Sequence, residues 1–164
     1  MRKFIVIFAL LLGSLSLSAQ DNQITPVPRL FKVGDGELDA TQTLKLYMDE
    51  YVTDRKTLLE AARATGLDIK LVRRPAKQGY INFISDGEYV SEEQYYLYIE
   101  EDGIEISAST PAGYFYALQT LRQIVENNPD GKLPACSMLD YPRFEYRGIL
   151  IDVSRHFRSL DFLK

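Results

Sequence analysis

The chain has 164 residues, 46% of them hydrophobic and 26% charged, with 19 Lys and Arg against 23 Asp and Glu and a formal net charge of −4. That length holds one domain with a real core but falls well short of the ~250 residues of a (β/α)8 barrel, and the acidic balance argues against nucleic acid or anionic membrane as partners. A single cysteine, Cys136, excludes an internal disulfide and is expected to be a small buried residue, and without a second Cys or a His cluster there is no zinc-type spacing.

In chain order, the first feature is an export signal. Arg2 and Lys3 precede the apolar run Phe4 to Leu12, and the small residues Ser14, Ser16, Ser18 and Ala19 lead into Gln20-Asp21-Asn22. The run is shorter than the ~20 residues a membrane-spanning helix needs. Residues 1–19 are therefore expected to be a signal peptide, cleaved between Ser18 and Gln20. No Cys follows for a lipid anchor, so the mature chain is expected to be soluble, free of the membrane, and periplasmic or extracellular.

From Ile24 to Val33 the chain reads as extended, with Pro26 and Pro28 barring a central strand position, and Gly34-Asp35-Gly36 reads as a turn. Leu58, Leu59 and Ala62 keep helical spacing between Asp54, a candidate N-cap, and Gly66, a candidate stop. Strands are expected over Tyr80 to Ser85, Gln94 to Glu100 and Gly103 to Ala108, the last two joined by a hairpin at Glu101-Asp102-Gly103. Thr110 and Pro111 read as N-cap and first turn of a helix through Tyr114, Leu118, Leu121 and Val125, ended by Asn127-Asn-Pro-Asp-Gly131. Strands with interleaved helices predict a two-layer α+β domain, a sheet with helices on one face. The aromatic side chains of Tyr95, Tyr96 and Tyr98 suggest a sugar platform, but their alternation along a strand favours packing. Glu92, Glu93, Glu100, Glu101 and Asp102 flank strands and turns as solvated charges.

Beyond this unit the pattern starts afresh. Gly148 to Val153 is apolar except for Asp152, as in a parallel strand buried on both faces, and Ser159 then opens an amphipathic run with Leu160, Phe162 and Leu163. The segment Tyr141-Pro-Arg-Phe-Glu-Tyr-Arg-Gly-Ile-Leu-Ile-Asp-Val-Ser-Arg-His-Phe157 resembles the start of the catalytic barrel of family 20 glycoside hydrolases, the β-N-acetylhexosaminidases. Upstream, Ala64-Thr-Gly-Leu67, Glu93-Gln-Tyr-Tyr96, Ser107-Ala-Ser-Thr-Pro-Ala-Gly113 and Leu118-Gln-Thr-Leu121 resemble the small domain preceding that barrel.

The resemblance implies an accessory α+β domain over residues 24–140, then the first strand of a truncated TIM (β/α)8 barrel over residues 144–164. It implies substrates that are N-acetylhexosamine-terminated glycans, hydrolysed with retention by the substrate's own 2-acetamido oxygen and without a cofactor. Arg147 becomes the substrate-binding arginine, a five-donor fork able to hold neighbouring ring hydroxyls. Read from the residues alone, an ion pair at a barrel rim is the favoured role for Arg147, and the resemblance reverses that order. Asp152, Arg155 and His156, at the strand end and on its loop, read as a supporting shell joined by charge-assisted hydrogen bonds. The family's adjacent catalytic Asp and Glu lie on a later barrel strand, so no catalytic residue is assigned in this chain, and an amino-terminal portion without activity of its own is expected. The alternatives are a stand-alone module binding carbohydrate or protein, and a different exported glycosidase sharing the accessory domain.

Overall fold

The computed structural model describes residues 24–85, 88–150, 157 and 159–163. The expected signal peptide lies outside the described residues. Seven strands form one mixed sheet: β1 (Leu30–Asp39), β2 (Leu44–Met48), β3 (Ile69–Leu71), β4 (Tyr80–Ile84), β5 (Tyr95–Glu100), β6 (Gly103–Ala108) and β7 (Lys132–Asp140), in the spatial order β1-β7-β5-β6-β4-β2-β3. The half from β1 to β6 is antiparallel, and β6, β4, β2 and β3 run parallel. Two helices, α1 (Arg55–Arg63) and α2 (Pro111–Asn127), touch each other, and α2 lies over β5 and β6.

Strand alternation explains why one face is covered and the other is not. On β2, β4 and β5 the residues Leu44, Leu46, Met48, Ile81, Phe83, Tyr95, Leu97 and Ile99 are buried, while Lys45, Tyr47, Asn82, Tyr96 and Tyr98 between them remain partly or fully exposed. The buried set joins Leu58 and Ala62 of α1 and Tyr114, Ala117, Leu118 and Leu121 of α2 in one core. Phe83 and Tyr114 stack at 5.2 Å between ring centroids, and the Tyr114 hydroxyl donates to the Ile84 carbonyl at 2.5 Å, so the buried phenol is satisfied. Burial raises the Cys136 thiol to about 11, which fits a packing role on β7.

The two-layer α+β architecture stands, and the structure adds strands and corrects details. Gly34-Asp35-Gly36 does not end the leading segment. These residues bulge opposite Ala135, and the strand resumes to Asp39 on the outer edge of the sheet. Gly36 takes φ +93, a conformation glycine adopts without penalty. Asp54 does precede α1, but at φ 50 its carboxylate makes no cap to the backbone and accepts instead from the Thr57 hydroxyl at 2.9 Å. Thr110 caps α2 as expected, its hydroxyl accepting from the Gly113 N–H at 3.4 Å, with Pro111 in the first turn. The hairpin between β5 and β6 also forms, with Glu100 paired to Gly103.

At the carboxy end Gly148, Ile149 and Leu150 carry no strand, and Ile149 and Leu150 are 88% and 95% exposed. A both-faces-buried strand acquires its hydrogen bonds only between neighbours, and none flanks these described residues. The rest of that expected strand lies outside the described residues. The following turn α3 (Leu160–Leu163) forms where the amphipathic run places it, with the Ser159 side chain accepting from the Phe162 N–H at 3.3 Å.

The seating of α2 depends on one glycine. A Cβ at Gly113 would lie 2.5 Å from the Gln94 carbonyl oxygen and 2.9 Å from the Ala108 Cβ. Gly113→Ala, which inside an unencumbered helix gains up to ~1 kcal/mol, is therefore expected to destabilise this protein by about 1–3 kcal/mol, measurable as a lower midpoint in urea unfolding. An unchanged or higher midpoint would show that α2 can lift off β5 without cost.

Candidate functional site

The amino-terminal arm, the outer side of α2 and the segment after β7 enclose a cleft of about 420 Å³. Its walls are drawn from distant parts of the sequence. Thr25 and Gln123 exchange hydrogen bonds, Thr25 N–H to Oε1 at 2.8 Å and Nε2 to the Thr25 carbonyl at 3.0 Å, which docks the arm on α2. Arg29 fastens the other wall: its N–H donates to Asp140 Oδ1 at 3.2 Å, and its guanidinium donates to the carbonyls of Tyr141 and Pro142 at 3.4 and 3.3 Å. The same guanidinium lies 4.4 Å from the centre of the Tyr141 ring, a cation–π contact. Tyr95 and Thr120 line the cleft and share a hydroxyl hydrogen bond of 2.6 Å, and burial raises the Tyr95 phenol to about 12.

Arg147 stands in this lining. Its Nη2 donates to the Glu93 carboxylate and its Nη1 to the Phe144 carbonyl at 3.0 Å. The Glu93 carboxylate beside it raises the guanidinium pKa above its ordinary value. Both partners are substantially exposed, with side chains 45% and 31% accessible. Glu93, read from the sequence as a solvated charge, is thus the partner of Arg147, and a sequence separation of 54 leaves no local signal for the pairing. Of the residues assigned from the sequence, Arg147 alone falls in the described cleft. Asp152, Arg155 and His156 lie outside the described residues.

The cleft's carboxylates are already engaged, Glu93 by Arg147 and Asp140 by the Arg29 N–H. Such an arrangement can hold and orient a polar group at its mouth. An Asp-Glu neighbour pair does occur elsewhere, at Asp49-Glu50 after β2. Asp49 accepts from the N–H groups of Tyr51, Val52 and Ser85 at 2.9, 3.1 and 2.7 Å, which ties the end of β2 to that of β4. That role is structural. Among the described residues no group of three or more His, Cys, Asp or Glu could hold a metal ion.

Comparison with known proteins bears on this geometry. The family model described as glycosyl hydrolase family 20, domain 2 matches residues 21–141. The N,N'-diacetylchitobiase of Vibrio harveyi is 32% identical over 148 residues, covering 88% of this chain and 17% of that protein. The structure of a family 20 exo-β-N-acetylglucosaminidase from Vibrio harveyi in complex with N-acetylglucosamine is 28% identical with a TM-score of 0.61, over 84% of this chain and 22% of its own. The β-N-acetylhexosaminidase of Bacteroides fragilis shares the fold, with a TM-score of 0.70 at 21% identity over 85% of this chain and 29% of its own. The chain thus spans less than a third of the length of each of these proteins. Arg147 lies just beyond the span of the family model.

The Arg147 ion pair gives a direct test of what holds the cleft. Glu93→Gln is expected to leave the melting temperature nearly unchanged, because an exposed ion pair is screened by salt and water. It is expected to shift the Arg147 Nε–H resonance toward that of a free arginine. A large fall in melting temperature would make the pair a clamp on the fold.

Proposed function

The chain belongs to glycosyl hydrolase family 20, and from that membership we propose that it supplies the amino-terminal part of an exported exo-β-N-acetylhexosaminidase. The observation that carries this reading is the family match over residues 21–141. The segment from Tyr141 to Phe157 supports it, because it continues from the accessory unit with an Arg-Gly pair and an apolar run ending in Asp152. In this reading residues 24–140 are the accessory domain, residues 144–164 begin a (β/α)8 barrel, and the leader formed by residues 1–19 sends the enzyme to the periplasm or beyond the cell.

The substrate is a glycan ending in β-linked N-acetylglucosamine or N-acetylgalactosamine. Its 2-acetamido oxygen attacks the anomeric carbon as the glycosidic bond breaks, and a glutamic acid from the rest of the barrel protonates the departing oxygen. Water then opens the oxazolinium intermediate with net retention. Arg147 takes the positioning part: the fork that holds a carboxylate and a carbonyl in the present cleft can hold two neighbouring ring hydroxyls. Asp152, Arg155 and His156 keep the loop beside it in place. The 164-residue chain by itself, with no assigned general acid, is not expected to turn over substrate.

Activity measurements test this reading. A longer polypeptide continuing this chain into a complete barrel is expected to release the aryl group from aryl N-acetyl-β-glucosaminides with retention at the anomeric carbon. Arg147→Lys in that enzyme should lower kcat/KM about thirty-fold to a thousand-fold with the fold intact, since a point-like ammonium cannot make the two-pronged contact. His156→Ala should reduce melting temperature at least as clearly as activity. Near-normal kcat/KM in Arg147→Lys would leave Arg147 as a rim ion pair.

Proteolysis tests the organisation. Limited digestion of the 164-residue chain is expected to remove the segment after Arg143 and leave a resistant core of residues 24–140, because Ile149 and Leu150 are almost fully exposed. A protected carboxy end in a monodisperse monomer would overturn the domain assignment.

A further inference from the structure

The face of the sheet opposite the helices carries a built surface that the barrel chemistry does not use. Tyr80, Tyr98, Glu100, Gly103 and Glu105 line a hollow of about 240 Å³ on β4, β5 and β6. It adjoins a second hollow of about 540 Å³ that shares Tyr98 and Glu100 and extends to Lys32, Gly34 and Asp35 on β1. The two make one groove across the strands, in the size range of small-molecule sites.

Its aromatic rings are held in place by the backbone beneath them. Gly103 lies cross-strand from Tyr80, and a Cβ there would come within 2.6 to 2.7 Å of the Tyr80 ring and carbonyl. The ring therefore lies against bare backbone at Gly103. Tyr98 is 37% exposed, and its ring stacks on that of Tyr96 at 6.4 Å with only 3° between planes. The alternation of Tyr96 and Tyr98 thus does not bury them, in contrast to Tyr95, which enters the core at 3% exposure.

The groups beside the rings are acceptors. Glu100 and Glu105 line the smaller hollow, and Glu101, Asp102 and Asp35 line the larger one. Lys32 lines the far end, and Lys45 pairs across from Tyr80. Desolvation and then the charges of Glu100, Glu105 and Asp102 raise the Tyr80 phenol, so the field at this end is negative. Carboxylates only accept hydrogen bonds, whereas sugar hydroxyls and amide N–H groups donate them, and the apolar face of a pyranose ring suits an aromatic platform.

We propose that this groove is a sugar-binding site for a neutral oligosaccharide, whose ring faces lie on Tyr80 and Tyr98 while its hydroxyl or amide hydrogens are donated to Glu100. Acidic glycans are excluded by the carboxylates that line the groove. The site belongs to the accessory unit and depends on neither Arg147 nor a barrel.

The test is binding by the 164-residue chain, so its outcome is separate from whether a longer enzyme hydrolyses N-acetylhexosaminides. Titration of ¹⁵N-labelled protein with a β-1,4-linked N-acetylglucosamine trisaccharide is expected to shift amides around Tyr80, Tyr98 and Gly103, with Kd on the order of 1 mM. Tyr98→Ala should weaken binding about tenfold while the spectrum stays that of a folded protein, and Tyr98→Phe should bind as the parent does, because the ring face makes the contact. A galacturonic acid trisaccharide should produce no shifts. The proposal is overturned if the neutral trisaccharide leaves these amides unmoved at tenfold that concentration, if Tyr98→Ala binds like the parent, or if the acidic sugar binds equally well.

Discussion

The architecture rests on the contact of α2 with β5 and β6, through which a seven-stranded sheet buries one face and leaves the other open. A sheet whose strands alternate in polarity can satisfy only one apolar side, and here a single long helix and one short one must cover it. The helix comes close enough because Gly113 has no side chain to hold it away from the Gln94 carbonyl. From that seating follow the Phe83–Tyr114 stack, the hydrogen bond from Tyr114 to Ile84, and the burial of Leu97, Ile99, Ile104 and Ile106 beneath the helices.

The same seating creates two distinct surfaces. On the helix side, the outward residues of α2 meet the arm through Thr25 and Gln123 and form a cleft with the segment after β7, which Arg29 pins from the far end of the sequence. A chain continuing from Tyr141 is thereby aimed along α2, and Arg147 finds Glu93 in the turn just before β5. On the uncovered side, the residues that alternation excludes from the core include tyrosines and carboxylates, and Gly103 lets the Tyr80 ring approach the backbone among them. One face thus leads toward the rest of the polypeptide, and the other presents rings to solvent.

The contrast between Tyr95 and its neighbours shows how a local pattern decides burial without deciding function. Tyr95, Tyr96 and Tyr98 are chemically alike, but the two-residue period sends the first beneath α2 to bond Thr120 and the others to the open face. Alternation alone could not say which side a helix would cover. Tyr96 and Tyr98 do pack, on each other and on Tyr89, but they do so on the open face rather than in the core.

The sequence by itself determined the elements whose signals are local: α2 with its Thr110 cap and Pro111 start, the hairpin at Glu101-Asp102, the stop of α1 at Gly66, and the single helical turn after Ser159. It also carried the family resemblance, because motifs from Ala64 to Phe157 are contiguous stretches of residues. Other strands escaped it. β3 has only three residues, too few for a period, and β7 contains Pro134, which reads against a strand until its pairing with Glu37 on β1 is seen. Tertiary structure alone decided that Gly34 to Gly36 bulge within β1, that Glu93 faces Arg147, that Asp49 ties two strand ends, and that the tyrosines of β4 and β5 share a groove. Each of those is a contact between residues distant in the chain, and its partner is set by how the whole sheet folds, a choice that no local window of sequence contains.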